Sequence, residues 1–160
     1  HRLTHLPEPE YKMVTIQALF TQLERLLQAE PGSERIVYSG GKAGKSTDKE
    51  LQIYGDVNLV TLALINLIRN ALQAVEGQRD GIVRVDAYAG ATGRLFITIT
   101  DNGPGIPPER LSAVFTPFYS TKSGGSGIGL PISQRIMQLH GGQLSVLSIQ
   151  NVRTTFKMEF

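Results

Sequence analysis

The sequence predicts a two-layer α+β sandwich, a sheet covered on one face by paired helices. Three observations lead there. Apolar residues recur at helical spacing in three separate stretches, beginning near Thr15, Val57 and Ile128. Short alternating runs bounded by glycine lie between and after them, at Ile82 to Ala87, Leu95 to Ile99, Leu144 to Ile149 and Thr154 to Phe160. Finally, 160 residues of which 41% are hydrophobic and 19% charged suit one packed core, neither several domains nor a disordered chain.

Each element has its own signal. HRLTHLPEPE sets two prolines around Glu8 and reads as a connector. From Thr15, the residues Ile16, Leu19, Phe20, Leu23, Leu26 and Leu27 keep three-and-four spacing, and Pro31-Gly32 closes the helix. Arg35 to Ser39 reads as a short strand, Gly40 to Glu50 as a polar loop, and Leu51 to Tyr54 as another extended piece. Asp56 caps the next helix, whose apolar positions from Val57 to Val75 wrap much of its circumference, so it is largely buried. Gly77 to Gly81 breaks the pattern, and two strands joined around Gly90 to Gly93 form a hairpin. Asp101 to Ser126 is rich in glycine and proline, with a brief helical signal at Glu109 to Val114. Irregular connections of that length inside a domain are uncommon and usually functional. A helix from Ile128 to Leu139 ends at His140-Gly141-Gly142, ahead of the last two strands.

Composition excludes more than it selects. Sixteen Lys and Arg against fourteen Asp and Glu give a net charge of +2, scattered without a nucleic-acid patch. The absence of cysteine removes disulfides, thiolate metal sites and cysteine nucleophiles, and fits a reducing compartment. The longest mainly apolar window, Val57 to Leu72, is interrupted by Asn58, Asn66, Arg69 and Asn70, and no signal-peptide core precedes it, so no membrane span is expected.

Four motifs carry chemistry. GGKAGKST at Gly40 to Thr47 mimics a phosphate-binding P-loop, but Ser39 stands where the first glycine belongs and an extended LQIY follows where a helix should open. Asn66 and Asn70 sit one turn apart on the most apolar helix. They are either satisfied structural amides or, for Asn70, a neutral oxygen ligand for Mg²⁺. DNGPGI follows an apolar strand, so Asp101 stands at the strand's end with glycines that admit close approach of a ligand, although such a turn is often only a turn. Gly124, Gly125, Gly127 and Gly129 run into a helix and offer free N–H groups and a positive dipole end to phosphate. Between the clusters, Phe115, Phe118 and Tyr119 are either core anchors or part of the site. Lys122 is either a solvated charge or a phosphate ligand.

The order of these motifs, NLIRNALQA, DNGPGI, FTPFYSTK, GGSGIGL and RTTF, resembles the catalytic and ATP-binding domain of sensor histidine kinases. That domain shares a superfamily with the gyrase, heat-shock chaperone and mismatch-repair ATPases, and LPEP with FTPFYSTK is most similar to the nitrogen-regulation type. The resemblance implies a Bergerat-type fold, a mixed and mostly antiparallel sheet with helices on one face. Residues 1–10 would be a linker from a missing dimerisation and histidine-phosphotransfer domain, residues 11–160 the catalytic domain, and about 103–127 an ATP lid.

It also implies roles. Asn70 would hold Mg²⁺, Asn66 would line the phosphate end, and Asp101 would accept from the adenine amino group. Gly103, Gly105 and Ile106 would shape the floor and the start of the lid, and Lys122 would reach the terminal phosphates. Gly125, Gly127, Ile128, Gly129 and Leu130 would cradle phosphate oxygens, and Thr154 would support a water network beside adenine. Arg153 stands where the family usually has glycine, which bears on Thr154.

The implied activity is transfer of the γ-phosphoryl of ATP to a histidine on a separate domain and thence to a response-regulator aspartate, in the cytoplasm. None of His1, His5 and His140 lies on a long amphipathic helix with an acidic neighbour, so the domain would not transfer phosphate without that partner. The domain alone would be a monomer and the whole protein a homodimer, with no nucleic-acid partner. The rival reading is a nucleotide-gated ATPase module of the chaperone or topoisomerase type.

Overall fold

A computed structural model of the chain describes residues 6–40, 50–116 and 129–160. Strand β1 (Lys12–Thr15) leads directly into helix α1 (Ile16–Leu27), and Thr15 is the cap, its Oγ1 accepting from Ala18 N at 3.1 Å. The periodicity predicts which face of α1 is buried: Ile16, Leu19, Phe20, Leu23 and Leu27 turn inward. Gly32, at φ 85°, supplies the left-handed residue after the helix that other side chains resist.

Strand β2 (Ile36–Gly40) and strand β3 (Gln52–Gly55) flank residues 41–49, and β3 pairs with β1 in a separate two-stranded ribbon. Strand β1 has no signal of its own in the sequence, being four residues of which Lys12 and Met13 are exposed. Buried near Glu24, the Tyr38 phenol on β2 is pushed up to about 12, and its hydroxyl has no hydrogen-bond partner among the described residues.

Helix α2 (Val57–Ala74) is the centre of the helical layer, packed against α1, β4, β5 and α4. Leu64, Leu67 and Ile68 are fully buried, and each such side chain removed from water contributes about 1.5–3 kcal/mol. By length and mean hydropathy, 1.3 over 18 residues, α2 would pass for a membrane span, yet half of it is buried within the domain as a core helix.

Strands β4 (Val83–Ala89) and β5 (Leu95–Asp101) form the predicted hairpin, with Gly93 at φ 84° in its turn. The brief helical signal shortens to α3 (Pro108–Leu111), and α4 is described from Gly129 to Leu139. Strands β6 (Gln143–Ile149) and β7 (Arg153–Glu159) complete a five-stranded sheet of order β2-β4-β5-β7-β6. Among the described strands only β2 with β4 is parallel, and every other pairing is antiparallel.

Along β5 burial alternates strictly. Leu95, Ile97, Ile99 and Asp101 share the helix-facing side, and Thr154, Phe156 and Met158 of β7 continue the same surface. The alternation that builds the core therefore delivers one carboxylate and one hydroxyl to the layer between sheet and helices. Toward solvent, Tyr88 stacks on Phe96 at 5.3 Å, with the Lys157 ammonium 5.2 Å from the Phe96 ring centre.

Candidate functional site

The site grows from the end of β5. Asp101 is buried at 4% exposure, and its Oδ1 accepts from Gly103 N at 2.9 Å, folding DNG back upon the strand end. Asn102 stitches the turn to the loop before β4. Its Oδ1 accepts from Ile82 N at 2.7 Å, its Nδ2 donates to Asp80 O at 3.0 Å, and its carbonyl accepts from Gln78 Nε2 at 2.8 Å.

Gly103 lies against the last turn of α2. A Cβ there would stand 2.8 Å from Ala74 O and 2.9 Å from Asp101 Oδ1, so only glycine fits. Counting back along α2 in steps of four from Ala74 gives Asn70 and then Asn66, so both amides lie on the stripe that rises from this turn. Both are half-buried.

Helix α4 closes that side. Ser133 Oγ donates to Ala63 O at 3.2 Å, and His140, just past the helix, lies against the residue before α2, its Nε2 accepting from Asp56 N at 3.0 Å. The two ties run in opposite directions along the two helices, so α4 is antiparallel to α2. Gly129 and Leu130, at the N-terminus of α4, accordingly approach the level of Asn66. Lys122, Gly125, Gly127 and Ile128 lie outside the described residues, as do Phe118 and Tyr119, while Phe115 meets Phe156 edge-on with ring centres 6.4 Å apart.

The third wall is the β6–β7 hairpin. Asp101 pairs in register with Thr154, and Thr154 with Ser148, so three polar residues stand in one row across β5, β7 and β6. Thr154, 4% exposed, lies 2.8 Å from Ser148 through their hydroxyl oxygens. Arg153 is an exposed strand residue. The left-handed position of this hairpin is taken by Asn151 at φ 65°, so no glycine is required before Thr154. Neither Asn102 nor Ser148 stands out in the sequence, because the N–H groups that they accept from lie 20 and 42 residues away.

Outside the pocket, Asp56 caps α2 with Oδ1 on Asn58 N and Leu59 N, while Oδ2 takes Glu10 N at 2.8 Å. Burial raises this carboxyl, but the N–H groups of Glu10, Leu59 and Asn58, and the neighbouring His140, outweigh it and hold the carboxyl below its ordinary value. Among the described residues no group of three His, Cys, Asp or Glu gathers to hold a metal ion. Asn66 and Asn70 carry amide oxygens on this stripe, and oxygen is the donor type that Mg²⁺ takes.

A family model described as Histidine kinase-, DNA gyrase B-, and HSP90-like ATPase matches residues 55–160. Sensor histidine kinase ZraS of Salmonella typhimurium is 41% identical over 105 residues, which is 66% of this chain and 22% of that protein. The chain thus spans about a fifth of that relative's length. Among solved structures, full-length ShkA in complex with AMPPNP superposes with a TM-score of 0.77 at 25% identity, over 99% of this chain and 32% of that one. Histidine kinase ThkA in complex with the response regulator protein TrrA gives 0.72 at 21% identity, over 95% and 42%.

Proposed function

Because this chain belongs to the histidine kinase-, DNA gyrase B- and HSP90-like ATPase family, we propose that it is the ATP-binding catalytic domain of a sensor histidine kinase. It would bind Mg–ATP and present the γ-phosphoryl to a histidine on a separate dimerising domain, in the cytoplasm, for relay to a response-regulator aspartate. One observation carries the reading: a buried carboxylate, Asp101, stands at a strand end on the helix-facing side, next to glycines that clear the space and below two amides on α2. ShkA with AMPPNP and ThkA with TrrA support the nucleotide and the regulator as ligand and partner.

Each residue then has a task. Asp101 accepts a hydrogen bond from the exocyclic amine of adenine, in a site from which water is largely excluded. Gly103 lets the DNG turn lie against the last turn of α2, which holds Asp101 in place for that bond. Asn70 would hold Mg²⁺ through its amide oxygen, and the ion, when bound, would neutralise triphosphate charge. By the family resemblance, Lys122 and the N–H groups of Gly125, Gly127, Gly129 and Leu130 would do the same. Phosphoryl transfer needs chiefly positioning and charge neutralisation, so the domain needs no nucleophile of its own.

Asn66 favours the kinase over a clamp ATPase. By family resemblance the hydrolysing members carry glutamate one turn before the Mg²⁺ asparagine, where it can deprotonate water. An amide cannot act as that base, and general-base assistance is typically worth about 10²–10⁴ in rate. The test incubates the domain with Mg–ATP, alone and with the histidine-bearing domain of the same protein added in trans, and follows free phosphate and acid-labile phosphoprotein. Phosphohistidine on the partner with negligible free phosphate is expected. Steady multiple-turnover phosphate release by the domain alone would overturn the reading.

A further inference from the structure

We infer that Ser148 is a positioning residue that ties the loop leaving β5, at Ile106, to the Thr154 hydroxyl at the adenine end of the site. The inference rests on the nucleotide-binding reading above and adds a residue which that reading does not use.

Three consecutive residues after Asp101-Asn102-Gly103 are strapped to the β6–β7 hairpin. Pro104 O accepts from Asn151 N at 2.5 Å. Gly105, at φ 76°, leaves room for nothing more, since a Cβ would stand 2.6 Å from Ile149 O and 2.9 Å from Gln150 Cα. Ile106 N donates to Ser148 Oγ at 2.7 Å. That last bond is made by a side chain and is therefore the one that sequence controls.

The Ser148 hydroxyl carries one proton and two lone pairs. Ile106 N–H uses one lone pair. The proton has two acceptors in reach, Thr154 Oγ1 at 2.8 Å and Arg153 O at 3.2 Å. If Ser148 donates to Thr154, the proton of Thr154 is released to point away from Ser148, toward the strand that carries Asp101. If Thr154 donates to Ser148, the proton of Ser148 goes to Arg153 O. One serine oxygen thus decides whether Thr154 offers a donor or an acceptor to the pocket, and the same oxygen holds Ile106 in the loop after β5. Removing it frees that loop at Ile106 and leaves Thr154 without its Ser148 partner in a single step.

The experiment uses Ser148→Ala, Ser148→Thr, Thr154→Val and the double variant Ser148→Ala/Thr154→Val. ADP affinity is read by calorimetry, and amide exchange at Ile106 is followed without nucleotide. Loss of one such hydrogen bond is typically worth about 1–2 kcal/mol, a factor of roughly 5–30. Ser148→Ala should weaken ADP by that factor and speed Ile106 exchange by a similar one. Ser148→Thr, which keeps the hydroxyl, should stay near wild type. In the Thr154→Val background Ser148→Ala should cost ADP affinity clearly less than in the wild type while Ile106 exchange still speeds up, whereas a merely structural serine would give additive losses. Unchanged Ile106 exchange in Ser148→Ala, or additive effects on ADP, would overturn the inference. Should Ser148→Ala fail to fold, Ser148→Cys keeps the volume with a poor hydrogen-bonding group and is read by the same criteria. Failure of the wild-type domain to bind ADP would instead refute the nucleotide reading, while Ile106 exchange would still judge the strap.

Discussion

Replacing Asp101 by Asn separates the binding role of this residue from its part in the fold. Its Oδ1 already accepts from Gly103 N at 2.9 Å, and the residue is 4% exposed. Asparagine has the same shape and keeps one acceptor oxygen, so the DNG turn survives with Gly103 N–H still satisfied. What changes is the second oxygen, now an NH₂ group that cannot accept from the adenine amine. A hydrogen bond to a charged group is worth about 1.5–3 kcal/mol, which at about 1.4 kcal/mol per tenfold is a loss of roughly 10–150-fold in nucleotide affinity.

Asp101→Ala behaves differently. It also strips the acceptor from the buried Gly103 N–H, and an unsatisfied buried donor costs about 1–3 kcal/mol in folding stability. Calorimetry with ADP and urea denaturation on both variants therefore give a two-by-two outcome. Both should lose affinity, and Asp101→Ala should lose more stability than Asp101→Asn. Wild-type ADP affinity in Asp101→Asn would refute the site assignment, and equal destabilisation of the two would refute the account of the turn.

Two further outcomes follow from the same geometry. Gly105→Ala forces a left-handed backbone on a residue with a side chain, about 1–2 kcal/mol on that ground alone, and presses its methyl onto the β6–β7 backbone. Its urea midpoint should fall, and a wild-type midpoint would refute the packing described at Ile149 and Gln150. Asp56, whose folded carboxyl is held below its ordinary value, contributes stability that is present above the unfolded pKa, near 3.9, and is lost as pH falls through the folded one. The stability gap between wild type and Asp56→Ala, about 0.5–2 kcal/mol for such a cap, should be constant near pH 6 and shrink below about pH 4; a gap that widens on acidification would refute it.

Helix α2 was legible because local chemistry and the global fold agree there. Asp56 caps it, and its apolar residues surround a helix that the domain encloses. The inward aim of Asp101 was legible too, since it continues the alternation of Leu95, Ile97 and Ile99. The sheet order was not, because nothing near β7 says that it inserts between β5 and β6. Strand β1 escaped notice because its pairing with β3 depends on residues far along the chain. Arg153 reads as a missing glycine from the sequence, and in the fold the left-handed residue of the β6–β7 turn is Asn151. Asn102 and Ser148 look like ordinary loop and edge-strand residues, and only the tertiary fold brings them the N–H and carbonyl groups that give them work.

The register of β5 with β7 closes the whole stretch from Asp101 to Thr154 into one loop, with the glycine-rich segment and α4 inside it. Closing a flexible loop costs an entropy that grows only with the logarithm of its length, about 0.6 kcal/mol for each doubling. The closure term therefore depends little on how many residues the stretch holds. Changes at Gly103, Gly105 or Ser148 act at full strength, because they disturb contacts that exist whatever the loop's length. What the fold holds fixed is the point of attachment at residues 103–106, whose backbone sits on the last turn of α2 and on the β6–β7 hairpin.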